Sequence, residues 1–119
     1  MKIAVTASGT GLESSVDPKF GRASFIILVD SENFGYEVLD NKENANALKG
    51  AGIQAARSIS EAGAQVLLTG HCGPNAFKAL NAAKIGVANN ASGTIREAVE
   101  NYLKGALPLS TAADVEGQW

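Results

Sequence analysis

The chain has 119 residues with a formal net charge of −2, of which 45% are hydrophobic and 18% charged; this fits one globular domain, since a second core would need roughly 50 residues or more of its own. Without a basic stripe it is not a general nucleic-acid binder, and its longest apolar run, Phe25-Ile26-Ile27-Leu28-Val29, falls far short of the roughly 20 residues of a membrane helix. The single cysteine, Cys72, agrees with a reducing compartment, and Met1-Lys2-Ile3-Ala4-Val5 reads as a strand and not a secretory leader, so a cytoplasmic protein is expected.

Ile3-Ala4-Val5-Thr6 predicts a short buried strand, ended by Ser8-Gly9-Thr10-Gly11, a run that breaks strand and helix alike. Residues 12–23 show no sustained period and carry Asp17-Pro18 and Gly21, the features of a long ordered loop that serves a function. Phe25–Asp30 and Tyr36–Leu39 are strand-like runs whose link, Ser31–Gly35, has hairpin length, so they should pair antiparallel. From Ala47 the spacing turns helical: Ala47, Leu48, Ala51, Ala55, Ile59 and Ala62 share a face, and Gly63 is the stop.

Val66–Thr69 reads as the next strand, Gly70-His71-Cys72-Gly73-Pro74 as the turn after it, and Asn75–Ala83 as a helix with Phe77 and Leu80 inward. Ile85–Ala88 is the last strand, followed by the loop Asn89–Gly93. Thr94 then opens a helix with Glu97 at capping-box spacing and an apolar stripe of Ile95, Ala98, Val99, Tyr102 and Leu103. The expected fold is α/β, a mixed five-stranded sheet with element order βββαβαβα and helices on the sheet faces. Residues 1–105 form the domain, and 106–119 read as a mobile tail ending in Trp119.

This order places the strands at 3–6, 66–69 and 85–88 parallel, with the 25–30 strand antiparallel beside the first. The loops leaving the three parallel strands and the loop entering the antiparallel one then share one rim. That rim gathers Ser8–Gly11, Lys19–Arg22, Gly70–Asn75 and Asn89–Gly93, and with them the only His and the only Cys. Open α/β sheets bind ligands outside the carboxyl ends of their parallel strands.

Three segments carry a resemblance: Asp17-Pro18-Lys19-Phe20-Gly21-Arg22-Ala23, Gly70-His71-Cys72-Gly73-Pro74-Asn75-Ala76, and Ile85-Gly86-Val87 through Tyr102-Leu103-Lys104-Gly105. On them the chain resembles the dinitrogenase iron-molybdenum cofactor biosynthesis family from Met1 to about Gly105. The resemblance implies a ribonuclease-H-like fold. The Thr6–Leu12 opening and the stand-alone length are most similar to members that carry a molybdenum-copper sulfide cluster. It therefore implies non-covalent holding of such a cluster, or otherwise of an iron-molybdenum-sulfur cluster, and partnership with ParA/MinD-type ATPases. Lys19 stands where many relatives have Arg, which keeps the charge and loses the bidentate fork.

A thiometallate cluster is a bulky anion, and its site needs positive charge, backbone N–H donors and a partly apolar wall. Lys19 and Arg22 offer the charge. The N–H groups of Gly73, Asn75 and Ala76 at a helix start that Pro74 opens, with those of Ser8, Gly9, Thr10 and Gly11, offer donors. Phe20 and the backbones of Gly21 and Gly70 offer the wall, and Asn89 a further contact. His71 and Cys72 are the candidate metal ligands, being acceptable to copper or molybdenum; the alternative for Cys72 is a small packed residue, and for Arg22 a surface ion pair. One Cys and one His exclude a four-thiolate cluster site.

Catalysis is not expected. The first strand carries no Asp or Glu to anchor a two-metal nuclease site, Ser8-Gly9-Thr10-Gly11 matches neither nucleotide-binding fingerprint, and no serine sits on a nucleophile elbow. The competing reading is a protein-interaction or scaffold module with no cluster.

Overall fold

A computed structural model describes residues 1–46 and 50–110. Its sheet is built from β1 (Lys2–Ala7), β2 (Phe25–Asp30), β3 (Tyr36–Asp40), β4 (Val66–Leu68) and β5 (Gly86–Ala88), in the spatial order β3-β2-β1-β4-β5. β1 runs parallel to β4, and β4 to β5, while β2 is antiparallel to both β1 and β3. The expected mixed five-stranded α/β architecture is therefore present.

Strand residues alternate between two cores, as the period of two dictates. Ala4, Ile26, Leu28, Leu67 and Val87 face one side, and Ile3, Val5, Ile27, Val29 and Leu68 the other. α2 (Ala51–Glu61) and α3 (Pro74–Ala82) cover the first face with Ala55, Ile59, Phe77 and Leu80, and α4 (Ile95–Leu103) covers the second with Ile95, Ala98 and Val99. Both faces are buried, which is why the strand runs look continuously apolar; each fully buried aliphatic side chain contributes about 1.5–3 kcal/mol.

Two elements differ from expectation. A four-residue helix, α1 (Lys42–Ala45), precedes α2, so the order is βββααβαβα. α2 begins at Ala51 after Gly50, whose left-handed backbone (φ 73°) caps it; Ala47 and Leu48, expected on its apolar face, lie outside the described residues. Of the expected tail, Leu107 packs on the α4-side core, Leu109 lies against Gly86, and the Ser110 N–H donates to the Val87 carbonyl (2.6 Å).

Loop 8–24 is stitched to its neighbours throughout. Val16 N–H donates to Gly93 O, Asp17 N–H to Thr6 O and His71 N–H to Pro18 O, while the buried Thr6 hydroxyl donates to Asp17 O (2.6 Å). At the far edge, the bonds from Asn41 N–H to Ser24 O and from Asp30 N–H to Gly35 O set the phase of the β2–β3 ladder. Tyr36, Val38 and Asp40 therefore turn their backbone groups away from the sheet.

Candidate functional site

β1, β4 and β5 end at one rim, and β2 begins there, opposite the end of β1 at Ala7 and Phe25. β3 ends there too, because Asp40 pairs with Phe25. Every connection leading into α2, α3 and α4 therefore starts at this rim, and so do the N-termini of all three helices.

Those three N-termini differ. α4 is closed by a complete capping box, in which Glu97 N–H donates to the Thr94 hydroxyl and Thr94 N–H to the Glu97 carboxylate. Its next donors are also taken, since Ile95 N–H reaches Ser14 O and Arg96 N–H reaches Leu12 O. Arg96 is further held by Glu13 (2.7 Å), whose hydrogen bond raises the guanidinium pKa above its ordinary value. A raised cation pKa contributes stability that is lost only as pH rises through it, so the guanidinium stays charged across the neutral range.

α2 and α3 have no side-chain cap and no acidic residue in the first turn. The first intrahelical bonds run from Gln54 N–H to Gly50 O and from Phe77 N–H to Gly73 O. The N–H groups of Ala51, Gly52 and Ile53, and of Asn75 and Ala76, precede them and have no intrahelical acceptor. Pro74, at the first helical position, has no N–H to leave unmatched.

Both bare ends open on one cavity of about 120 Å³, lined by Gly50–Ile53 of α2, Asn75 and Ala76 of α3, and Phe20 and Arg22 of the rim loop. The exposed Arg22 is aimed by α1, whose last carbonyl, Ala45 O, accepts from Nη1 at 2.8 Å. Close backbone approach makes this geometry: a Cβ on Gly21 (φ 92°) would lie 2.8 Å from the Gly52 backbone, and one on Gly52 would lie 2.9 Å from Ala76 Cβ. Similarly, Gly70 lets Pro18 approach within 2.6 Å of where its Cβ would stand.

The expected site residues divide. Phe20, Arg22 and Asn75 line the cavity; Gly21 packs against the Gly52 backbone beside it, and Gly73 and Pro74 open α3 without lining it. Lys19 lies on the exposed outer side of the loop, paired by a backbone bridge to His71, and its N–H donates to Asp17 Oδ1. His71 is half-buried and fastens the loop, since its carbonyl accepts from Phe20 N–H and its N–H donates to Pro18 O. Cys72, the other expected metal ligand, is 0% exposed in the core that includes Phe20 and Leu80, with its sulfur 3.7 Å from Gly73 O. That burial is what the packed alternative requires, and ligating a rim cluster would require the sulfur to be drawn out of the core.

Ser8, Gly9, Thr10 and Gly11 lie on the other side of the rim, and two of the expected donors are used within the loop: Ser8 N–H by Ser15 O and Gly11 N–H by the Ser14 hydroxyl. Asn89 is 4% exposed, donates to the Ser110 hydroxyl at 3.0 Å and leaves Oδ1 without a hydrogen-bond partner among the described residues. Gly50, Ala51, Gly52 and Ile53 were outside the expected set. Two signals point to them: the Gly-Ala-Gly run at 50–52, and the fact that a strand antiparallel to the 25–30 strand must return to the same rim.

A mixed sheet with helix N-termini collected around a rim pocket defines a small ligand-holding α/β domain, and its family is recognisable. Residues 1–105 match the model of the dinitrogenase iron-molybdenum cofactor family, and the chain belongs to that family. Among solved structures it is similar to the apo form of the orange protein from Desulfovibrio gigas, at 43% identity over 96% of each chain with a TM-score of 0.93. A Thermotoga protein bearing the NifB name is 33% identical over 98% of each chain, with a TM-score of 0.83. A dinitrogenase-named protein of Methanocaldococcus jannaschii, 13% identical with a TM-score of 0.71 over 94% of this chain and 96% of that one, shares the fold alone. No curated protein matches the chain significantly.

Proposed function

We propose that the protein is a carrier, not an enzyme, holding a preformed anionic metal-sulfide cluster of the molybdenum-copper type, or otherwise of the iron-molybdenum type, in the cavity between α2 and α3. One observation carries the reading: two uncapped helix N-termini and a guanidinium converge on a cavity with no carboxylate among the described residues that line it. Such an arrangement offers partial positive charge from five N–H groups and a full charge from Arg22 to a soft, delocalised anion. Phe20 and Ile53 supply an apolar wall of the kind that suits sulfide better than water.

The donor set fits a cargo that brings its own ligands. Among the described residues no group of three His, Cys, Asp or Glu side chains could hold a bare metal ion, and Cys72 is enclosed in the core. Family membership supports cofactor handling, and the ATPase partners that the resemblance implies would be its route of delivery or receipt. No described helix is long and apolar enough to cross a membrane, in keeping with an encounter in solution.

The test is to add tetrathiomolybdate and copper to the protein, desalt it, and record a visible spectrum with elemental analysis beside an Arg22→Glu variant. A retained chromophore with stoichiometric metal, lost in the variant, is expected. A colourless, metal-free wild type would remove the molybdenum-copper reading and favour the scaffold. Equal retention by the variant would move the cargo away from this cavity.

A further inference from the structure

We propose that the outer face of α2 and α3 is a docking surface for an acidic amphipathic helix of a partner protein, a role that goes beyond cluster carriage and does not depend on it. A shallow groove of about 360 Å³ runs between the two helices, floored by Ala56, Ala79, Ala82 and Ala83, with Ile53 at one end and Arg57 along one side. Alanines at these positions let a third backbone approach to helix-packing distance, where longer side chains would hold it off.

Ile53 gives the groove an anchor. It is 45% exposed while its helix neighbours Ala55, Ala56 and Ile59 are buried, so α2 turns a branched aliphatic side chain to the outside. It also borders the anion cavity. A partner seated in the groove would therefore stand beside the cavity mouth.

Charge selects the partner. From Lys49 to Lys84 the sequence has a single carboxylate, Glu61, against four cations, although the whole chain carries −2. Arg57 lines the groove, and the exposed Lys78 and Lys84 lie on or just beyond α3. Glu61, at the groove's far end, is the one carboxylate among the described residues that line it. The cations Arg57, Lys78 and Lys84 therefore give this face a local excess of positive charge that attracts an acidic partner and favours one docking orientation. A helix fits a groove between two helices that start from the same rim, burying an i, i+3, i+4, i+7 apolar stripe between acidic flanks.

The test uses the cluster-free protein, so its outcome is independent of cargo. A synthetic helical peptide of about 18 residues, with leucines at that spacing and glutamates on both flanks, is titrated into isotopically labelled protein while amide shifts are followed. A peptide with lysine for every glutamate serves as the control. Saturable binding is expected, with shifts centred on Ile53, Arg57, Ala79 and Ala83 and weakening as salt rises. It should fall about tenfold in an Arg57→Glu, Lys78→Glu double variant and again in Ile53→Ser, with unchanged circular dichroism showing that both variants fold. No binding, equal binding of the lysine peptide, or indifference to the charge reversal would overturn the proposal. So would a concentration-dependent dimer that shifts the same amides without peptide, because the face would then belong to a second copy of the chain.

Discussion

Gly21 and Cys72 show what a single position decides. Gly21 combines a left-handed backbone with a contact that leaves no room for a side chain, and two independent penalties meet there: strain at positive φ and a clash with the Gly52 backbone. Gly21→Ala should lower stability by about 1–3 kcal/mol, read as a shift of the urea midpoint at unchanged slope. For Cys72, replacement by serine places a hydroxyl in a fully buried site and should destabilise by about 1–3 kcal/mol. Cluster retention per folded molecule should stay at the wild-type level in Cys72→Ser, measured as bound metal after desalting. Loss of metal from a folded Cys72→Ser protein would instead make the thiol a ligand. A sequence cannot place this side chain, since a cysteine in a glycine turn after a strand can face the rim or the core, and its burial with Phe20 and Leu80 is seen only in the packing. Arg22 was legible as charge on the rim; its aim was not, because that depends on Ala45 of a helix too short to leave a periodic signal.

Among the elements, the contrast between capped and bare helix starts is the functional statement. The Thr94–Glu97 box was readable because both residues must be present at a fixed spacing, and the structure forms both of its bonds. The bare starts of α2 and α3 are absences, visible only once the helix boundary is known. Ala47 and Leu48 fall in phase with Ala51 and Ala55, so periodicity ran the helix through Gly50 and concealed its start. Asn75→Asp tests the contrast directly. A carboxylate in the first turn of α3 favours the helix by about 0.3–1 kcal/mol, and it puts a negative charge in the cavity lining. The variant should melt at or above the wild-type temperature yet retain less cluster, an opposition of stability and binding that a purely structural role for Asn75 would not produce.

At the scale of the molecule, the rim follows from topology, and topology was the most legible part of the chain. Two apolar runs at hairpin distance and two further strand–helix units imply parallel strands one, four and five with strand two antiparallel beside the first, and the order β3-β2-β1-β4-β5 contains that arrangement. What escaped was the division of the rim into two halves by the sheet itself. Ser8–Gly11 and the α4 start lie with one core and the α2–α3 cavity with the other, a separation that depends on which face each helix covers. If cargo is held by charge and not by metal–protein bonds, its retention should decline steadily as salt rises from about 0.05 to 0.5 M at constant fold, followed by desalting at each salt concentration. A cluster bound through a thiolate would be indifferent over that range.

The short segment at 107–110 has a consequence for how the molecule keeps to itself. It lies along the outer edge of β5, with Leu109 over Gly86 and Ser110 bonded to both Val87 and Asn89. At the opposite edge, β3 already turns the backbone groups of Tyr36, Val38 and Asp40 outward, guarded by the charges of Glu37 and Asp40. A sheet with one edge covered and the other charged resists adding strands from a neighbour. If the chain were cut after Gly105, the last residue of the family match, the β5 edge would be uncovered while β3 kept its charges, and self-association through β5 should rise. The four residues 107–110 thus act as a cover over the one edge that carries no charge of its own.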